Sequence, residues 1–175
     1  MSTGQIAAGI AAAVLLFWAV GAHNRLVRLR NEIVQRFGPV QTQFGLRHAL
    51  LMQQLDALAP VLLSAGPRLD ALRAACQQAE AACAHARTRP GTIGATTSLR
   101  LAEDILTDAR ARLPAATAPI TEGPDLAAQL AQADTALAFA RGQFNDAVTA
   151  YNDAVRQFPT WLIAGVFSFR PAGTL

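Results

Sequence analysis

No acidic residue precedes Glu32, lysine is absent throughout, and the 175 residues hold only two cysteines and one tyrosine. Aromatic residues make up 6% of the chain, while apolar residues, chiefly Ala and Leu, reach 52%. A β-sandwich would draw on Val, Thr and Tyr, so this composition points to helices with small interfaces. The length suits one domain. All fifteen basic residues are arginine, and most of the net charge of +3 comes from the acid-free first 31 positions. The rest is close to neutral and carries no basic stripe, which argues against nucleic acid as a partner. Cys76 and Cys83 stand seven residues apart. On a helix that is about 10.5 Å, beyond the roughly 7 Å between Cα atoms that a disulfide tolerates, so no oxidising compartment is required.

Catalytic constellations are also missing. There is no glycine-rich phosphate loop, nucleophile elbow, HExxH or Glu-x-x-His repeat. Cys83 and His85 lie two apart and point to different sides of a helix. Asp104 and Asp108 share a face, but Arg100 and Arg112 flank them at four-residue spacing, giving a salt-bridge ladder instead of a carboxylate dyad. His48 and Met52 suit a haem only superficially and read as core or surface filling. The expectation is therefore no cofactor, no metal and no enzymatic activity. Arg47 interrupts an apolar face between Phe44 and Leu51. Either it pairs inside a bundle with Asp134 or Asp56, or it snorkels to the surface, the commoner fate of arginine.

What is present begins with Ile6 to Ala22, 17 residues without a charge or a polar side chain. At about 25 Å it lies at the short end for a membrane span. His23, Arg25, Arg28, Arg30 and Arg36 follow it, and no basic residue precedes it. The positive-inside rule then puts the N-terminus outside and the remainder in the cytoplasm. A cleaved signal peptide is the alternative: Val20 and Ala22 fit its cleavage pattern, but the basic leader is missing and arginine follows at once.

Helical spacing continues from Asn24 to Leu63 through Val27, Val34, Val40, Phe44, Leu51, Leu55, Leu58 and Leu62, with Gly38-Pro39 set to kink or split it. Further helices are expected over about 67–87 and 97–113, the latter followed by a loop to Pro124. A long last helix then runs from Pro124 to Phe158, stopped by Pro159. The expected fold is all-α: an N-terminal transmembrane helix, then an antiparallel up-down-up-down four-helix bundle with long first and last helices. Residues 1–22 form the anchor, 23–158 the bundle and 159–175 an apolar, aromatic tail near the membrane.

Near the end of the bundle, FNDAVTAYNDAVRQFP reads as a heptad written twice, with Asn145 and Asn152 seven apart. Asn24 and Asn31 repeat that spacing in the first helix. In an antiparallel pair the facing residue numbers keep a constant sum, and 24 with 152 and 31 with 145 both give 176. Paired asparagines would lock register; the alternative is that they sit at the edge and bond to water.

HNRLVRLRN, then ARGQFNDAVTAYNDAVRQFP and IAGVFSF, resemble the motifs of the LemA family of bacterial membrane proteins. Asn24, Leu26, Val27, Leu29, Arg30 and Asn31 carry the first match. Ala140, Arg141, Asn145, Ala147, Val148, Tyr151, Asn152, Phe158, Pro159, Ile163, Ala164, Phe167 and Phe169 carry the second. His23 stands where the family pattern has Tyr, Phe37 where it has Trp and Phe144 where it has Tyr, and residues 60–125 carry no resemblance. The resemblance implies a transmembrane helix joined to a long-helix bundle. Together with the residues it suggests a non-enzymatic, single-pass scaffold or adaptor at the bacterial inner membrane, with coiled-coil-like helices. Its partners would be the lipid bilayer and membrane or cytoplasmic proteins, with a homo-oligomer left open. A lipid-associated, membrane-organising protein is the alternative. There Arg25, Arg28, Arg30, Trp161, Phe167, Phe169 and Arg170 would meet the headgroups, while Asn24, Asn31, Arg141, Asn145, Asn152 and Pro159 would hold the structure.

Overall fold

A computed structural model describes residues 2–59, 66–113 and 124–175. Among them the protein is all-helical: α1 (Thr3–Leu58), α2 (Gly66–Thr88), α3 (Ile93–Ala111), α4 (Pro124–Arg156) and the short α5 (Thr160–Val166), with no strand. The loop expected between Leu113 and Pro124 lies almost wholly outside the described residues.

α1 is one unbroken helix of 56 residues, about 84 Å long. Pro39 lies inside it without splitting it. The proline has no N–H to give to the preceding turn, and Thr42 Oγ1 donates to Gly38 O at 3.2 Å beside it. Neighbouring turns hold the helix through this point because Phe37, Val40 and Phe44 are all buried.

The buried stripe of α1 differs from expectation by one residue at its start. Leu26 and Ile33 are buried, whereas Val27 and Val34 are 37% and 51% exposed. One residue turns a helix by about 100°, and stepping back in threes and fours from Val40 and Phe37 reaches Ile33 and Leu26. The bulkier pair takes the core.

α1 and α4 run antiparallel. Arg25–Gln157, Arg36–Gln143 and Arg47–Asp134 are in contact, and the rings of Phe37 and Phe144 meet edge-on at 5.8 Å. These pairs sum to about 180, one helical turn from the register in which the asparagines would face each other. α2 crosses back along the other half of α1, where His48 meets Glu80 and Arg73 meets Asp56. A turn at Arg89–Thr92 then folds α3 onto α2. α3 begins at Ile93, four residues before the expected start. Gly94 and the threonines are weak helix formers, but Ala95, Thr96 and Leu99 are buried there. Thr96 Oγ1 also donates back to Thr92 O and Ile93 O.

The α2–α3 turn rises only to the level of Ile33: a Cβ on Gly91 would come 2.9 Å from Ile33 Cγ2. Above it, α1 and α4 continue as a bare pair for roughly 15 Å. The C-terminal segment fills that gap.

Candidate functional site

Phe158–Pro159 is a cis peptide, and Pro159 caps α5, which turns the chain across the end of α4 and against α1 near His23. Thr160 and Ala164 are its buried face. Beyond α5 the tail doubles back along α4 toward the α2–α3 turn. Tyr151 Oη donates to Arg170 O at 3.0 Å. Asn152 Nδ2 donates to Ala172 O at 2.9 Å, and its Oδ1 accepts from the Ala172 N–H at 2.8 Å. Asn145 grips Leu175 in the same two-way manner at 2.9 and 2.8 Å. Gly173 N–H donates to Gly91 O at 2.9 Å.

These bonds explain the repeated heptad. Seven residues of helix advance about 10.5 Å. Three residues of extended chain, from Ala172 to Leu175, advance about 10 Å. Two asparagines at that spacing satisfy the backbone N–H and oxygen of two residues of one extended strap, each side-chain amide donating one bond and accepting the other. Expected partners Asn24 and Asn31 are instead exposed on a face of α1 turned away from α4, with Val27 and Arg28. The asparagine pairing across the helices is therefore not formed, because the register follows Phe37 and Phe144 and the α4 asparagines are already engaged.

The strap is close-fitting. A Cβ on Gly173 would stand 2.3 Å from Thr96 Oγ1 and 2.9 Å from Ile93 Cα. Gly91 holds a φ of +79°, which L side chains adopt only under strain. Burial pushes the Tyr151 hydroxyl above its ordinary pKa, with Arg30 pulling the other way.

A second constellation ties the helices at mid-bundle. Arg47 is buried, not snorkelling, at 6% exposure. It donates to one oxygen of buried Glu103, while Arg141 Nη2 donates to the other at 2.7 Å. Asp134 lies 3.6 Å from Arg47 and 3.3 Å from Arg110. The Arg47–Asp134 pairing weighed from sequence is thus present, whereas Asp56 turns to Arg73. Both oxygens of Glu103 accept charge-assisted bonds, which joins α1, α3 and α4. Glu103 escaped sequence reading, although its place on the apolar stripe of Leu99, Ala102 and Leu106 was a signal. Of the Arg100–Asp104–Asp108–Arg112 ladder, the Arg112–Asp108 rung is formed at 2.5 Å.

Cys76 and Cys83 are free and buried nearby. Burial is the main force raising both thiols, Cys83 to about 11, with Glu103 adding to the rise.

At the other end, the residues expected at headgroups divide. Arg25, Arg28 and Arg30 are exposed on α1, and Arg25 Nη1 donates to Gln157 at 3.4 Å. Trp161 and Phe167 are exposed. Phe169 is not: it is half-buried against the core, its ring 5.5 Å from that of His23. Arg170 keeps its side chain in the open while its carbonyl serves the strap.

α1 is long and apolar enough to cross a membrane, with only 6% of its most apolar window buried. No curated protein and no solved structure matches the chain. The LemA family model matches residues 71–175, reaching back through α3 into α2 and leaving the Asn24–Asn31 stretch outside. Apolar N-terminal helix, all-helical body and a match over more than half its length together show that this chain belongs to the LemA family.

Proposed function

We propose that the protein is a non-enzymatic, single-pass scaffold of the bacterial inner membrane, holding an up-down-up-down bundle at a fixed orientation for partner proteins. The observation that carries this is the continuity of α1, which runs without a break from its apolar segment into the core. A flexible linker would tether a domain; a single helix orients it. The N-terminus lies outside and the bundle in the cytoplasm, since Arg25, Arg28, Arg30 and Arg36 all follow the apolar segment.

The face offered to a partner helix carries Asn24, Val27, Asn31 and Val34, all exposed and spaced as in a coiled-coil seam. A second copy suits it, because two copies anchored alike bring this face together in parallel. Photo-crosslinking from Val27 and Val34 in cells tests the proposal. Discrete adducts from these two positions, absent from exposed Arg87 on α2, are expected. Smears from all three, or adducts to lipid alone, would sink the scaffold reading in favour of a lipid-organising one.

A further inference from the structure

Between Arg156 and Arg170 the chain has no charged side chain. α5 uses Thr160 and Ala164 to pack inward and leaves Trp161, Leu162 and Val166 outside, with Phe158 before them and Phe167 after. These five are between 45% and 76% exposed. Single exposed apolar residues are ordinary, but a contiguous patch marks an interaction surface.

Its position identifies the occupant. The Phe167 ring meets that of His23 at 4.5 Å, and His23 is the first residue after the apolar segment Ile6–Ala22. Ala22 is buried although α4 ends opposite Arg25, so α5 covers it. On α1, Phe17 and Val20 are 76% and 51% exposed. The apolar surfaces of α5 and of the segment thus meet at one end of the bundle. A segment of about 25 Å falls short of a hydrocarbon layer of about 30 Å, and a short span draws its flanks into the boundary. Here the flank is α5. Arg25, Arg28, Arg30, Arg156 and Arg170 are exposed around it and suit anionic headgroups.

We infer that α5 is a second membrane contact, lying in the headgroup boundary with Phe158, Trp161, Leu162, Val166 and Phe167 among the upper acyl chains. The bundle is then held at two places, by the span and by α5. The inference rests on Ile6–Ala22 being a span.

The chain's two tryptophans, Trp18 and Trp161, test each part separately. Full-length Trp18→Phe and Trp161→Phe proteins are reconstituted in phosphatidylglycerol–phosphatidylcholine vesicles with or without brominated acyl chains. In Trp18→Phe the remaining Trp161 emission should fall in brominated vesicles, more for bromines near the glycerol than near the methyl end, and should resist aqueous acrylamide. If Trp161 ignores bromine and yields to acrylamide while Trp18 is quenched by bromine, the span stands and α5 faces water. If Trp161 resists both quenchers, protein covers it, a second copy included, and the inference fails. If Trp18 too escapes bromine, the span reading falls.

Discussion

Glu103 holds two arginines at once, and removing its charge leaves Arg47 and Arg141 facing each other without their shared carboxylate. Glu103→Gln should cost about 3–5 kcal/mol, the usual penalty for breaking a buried ion pair from one side. Chemical denaturation of the detergent-solubilised protein measures it. Arg112→Ala, which removes an exposed pair with Asp108, should cost under about 1 kcal/mol in the same assay. The buried thiol gives a pH signature. Cys83 has its pKa raised in the fold, from 9.0 to about 11. The folded state therefore favours the neutral thiol more than the unfolded chain does. That contribution is complete below pH 9 and is lost as the pH climbs toward about 11. A melting temperature that falls over this window less steeply in Cys83→Ala than in the parent would confirm it. What the sequence revealed at this scale was uneven. Arg47 stood out as an arginine on an apolar stripe, and Asp134 was among its weighed partners. Its principal partner was missed: Glu103 stands on the apolar stripe of Leu99, Ala102 and Leu106, but only the folded path of α3 shows that this stripe faces Arg47.

At the scale of elements, the strap from Arg170 to Leu175 depends on close approach. Gly173→Ala would drive a Cβ to 2.9 Å from the Ile93 backbone, which cannot swing aside as a side chain can. Displacement of the strap is expected, seen as faster amide exchange at Ala172 and Leu175 while α1 and α4 remain protected. Asn152→Ala removes a donor and an acceptor together; it should cost about 1–3 kcal/mol through the peptide groups it leaves without partners and expose the same amides. Pro39→Ala restores an N–H to the interior of α1 and should stabilise by up to about 3 kcal/mol with the fold unchanged. Helix positions were largely legible, since periodicity and Pro or Gly breaks mark them locally. The purpose of Asn145 and Asn152 was not. Heptad spacing shows that two side chains share a face and is silent on whether a helix or an extended strap lies opposite. The missing hint was length: α2 and α3 together with their turn are too short to cover α1 and α4 to their ends.

For the whole molecule, the proposed orientation is tested by labelling. With Cys76 and Cys83 replaced by Ala, a cysteine at exposed Thr149 should resist a membrane-impermeant maleimide in intact cells and react after permeabilisation. Reaction in intact cells would place the bundle on the opposite side. Charge after the apolar segment is the sequence feature from which this side is proposed, whereas nothing local in the sequence announced that α1 would pass through residue 39 intact.

That continuity has a mechanical consequence. From Ala22 to Leu58, α1 extends about 54 Å from the apolar segment. A stiff rod of that length is a lever whose short arm, on the proposed span, lies in the bilayer. A tilt of about 10° in the apolar segment would sweep the far end through roughly 9 Å on that geometry. Each residue inserted at His23 would swing the bundle by about 100° around its own axis. With the span and α5 as proposed, bilayer thickness at one end would be converted into displacement at the other, and a foot planted beside the fulcrum would set how freely the arm moves.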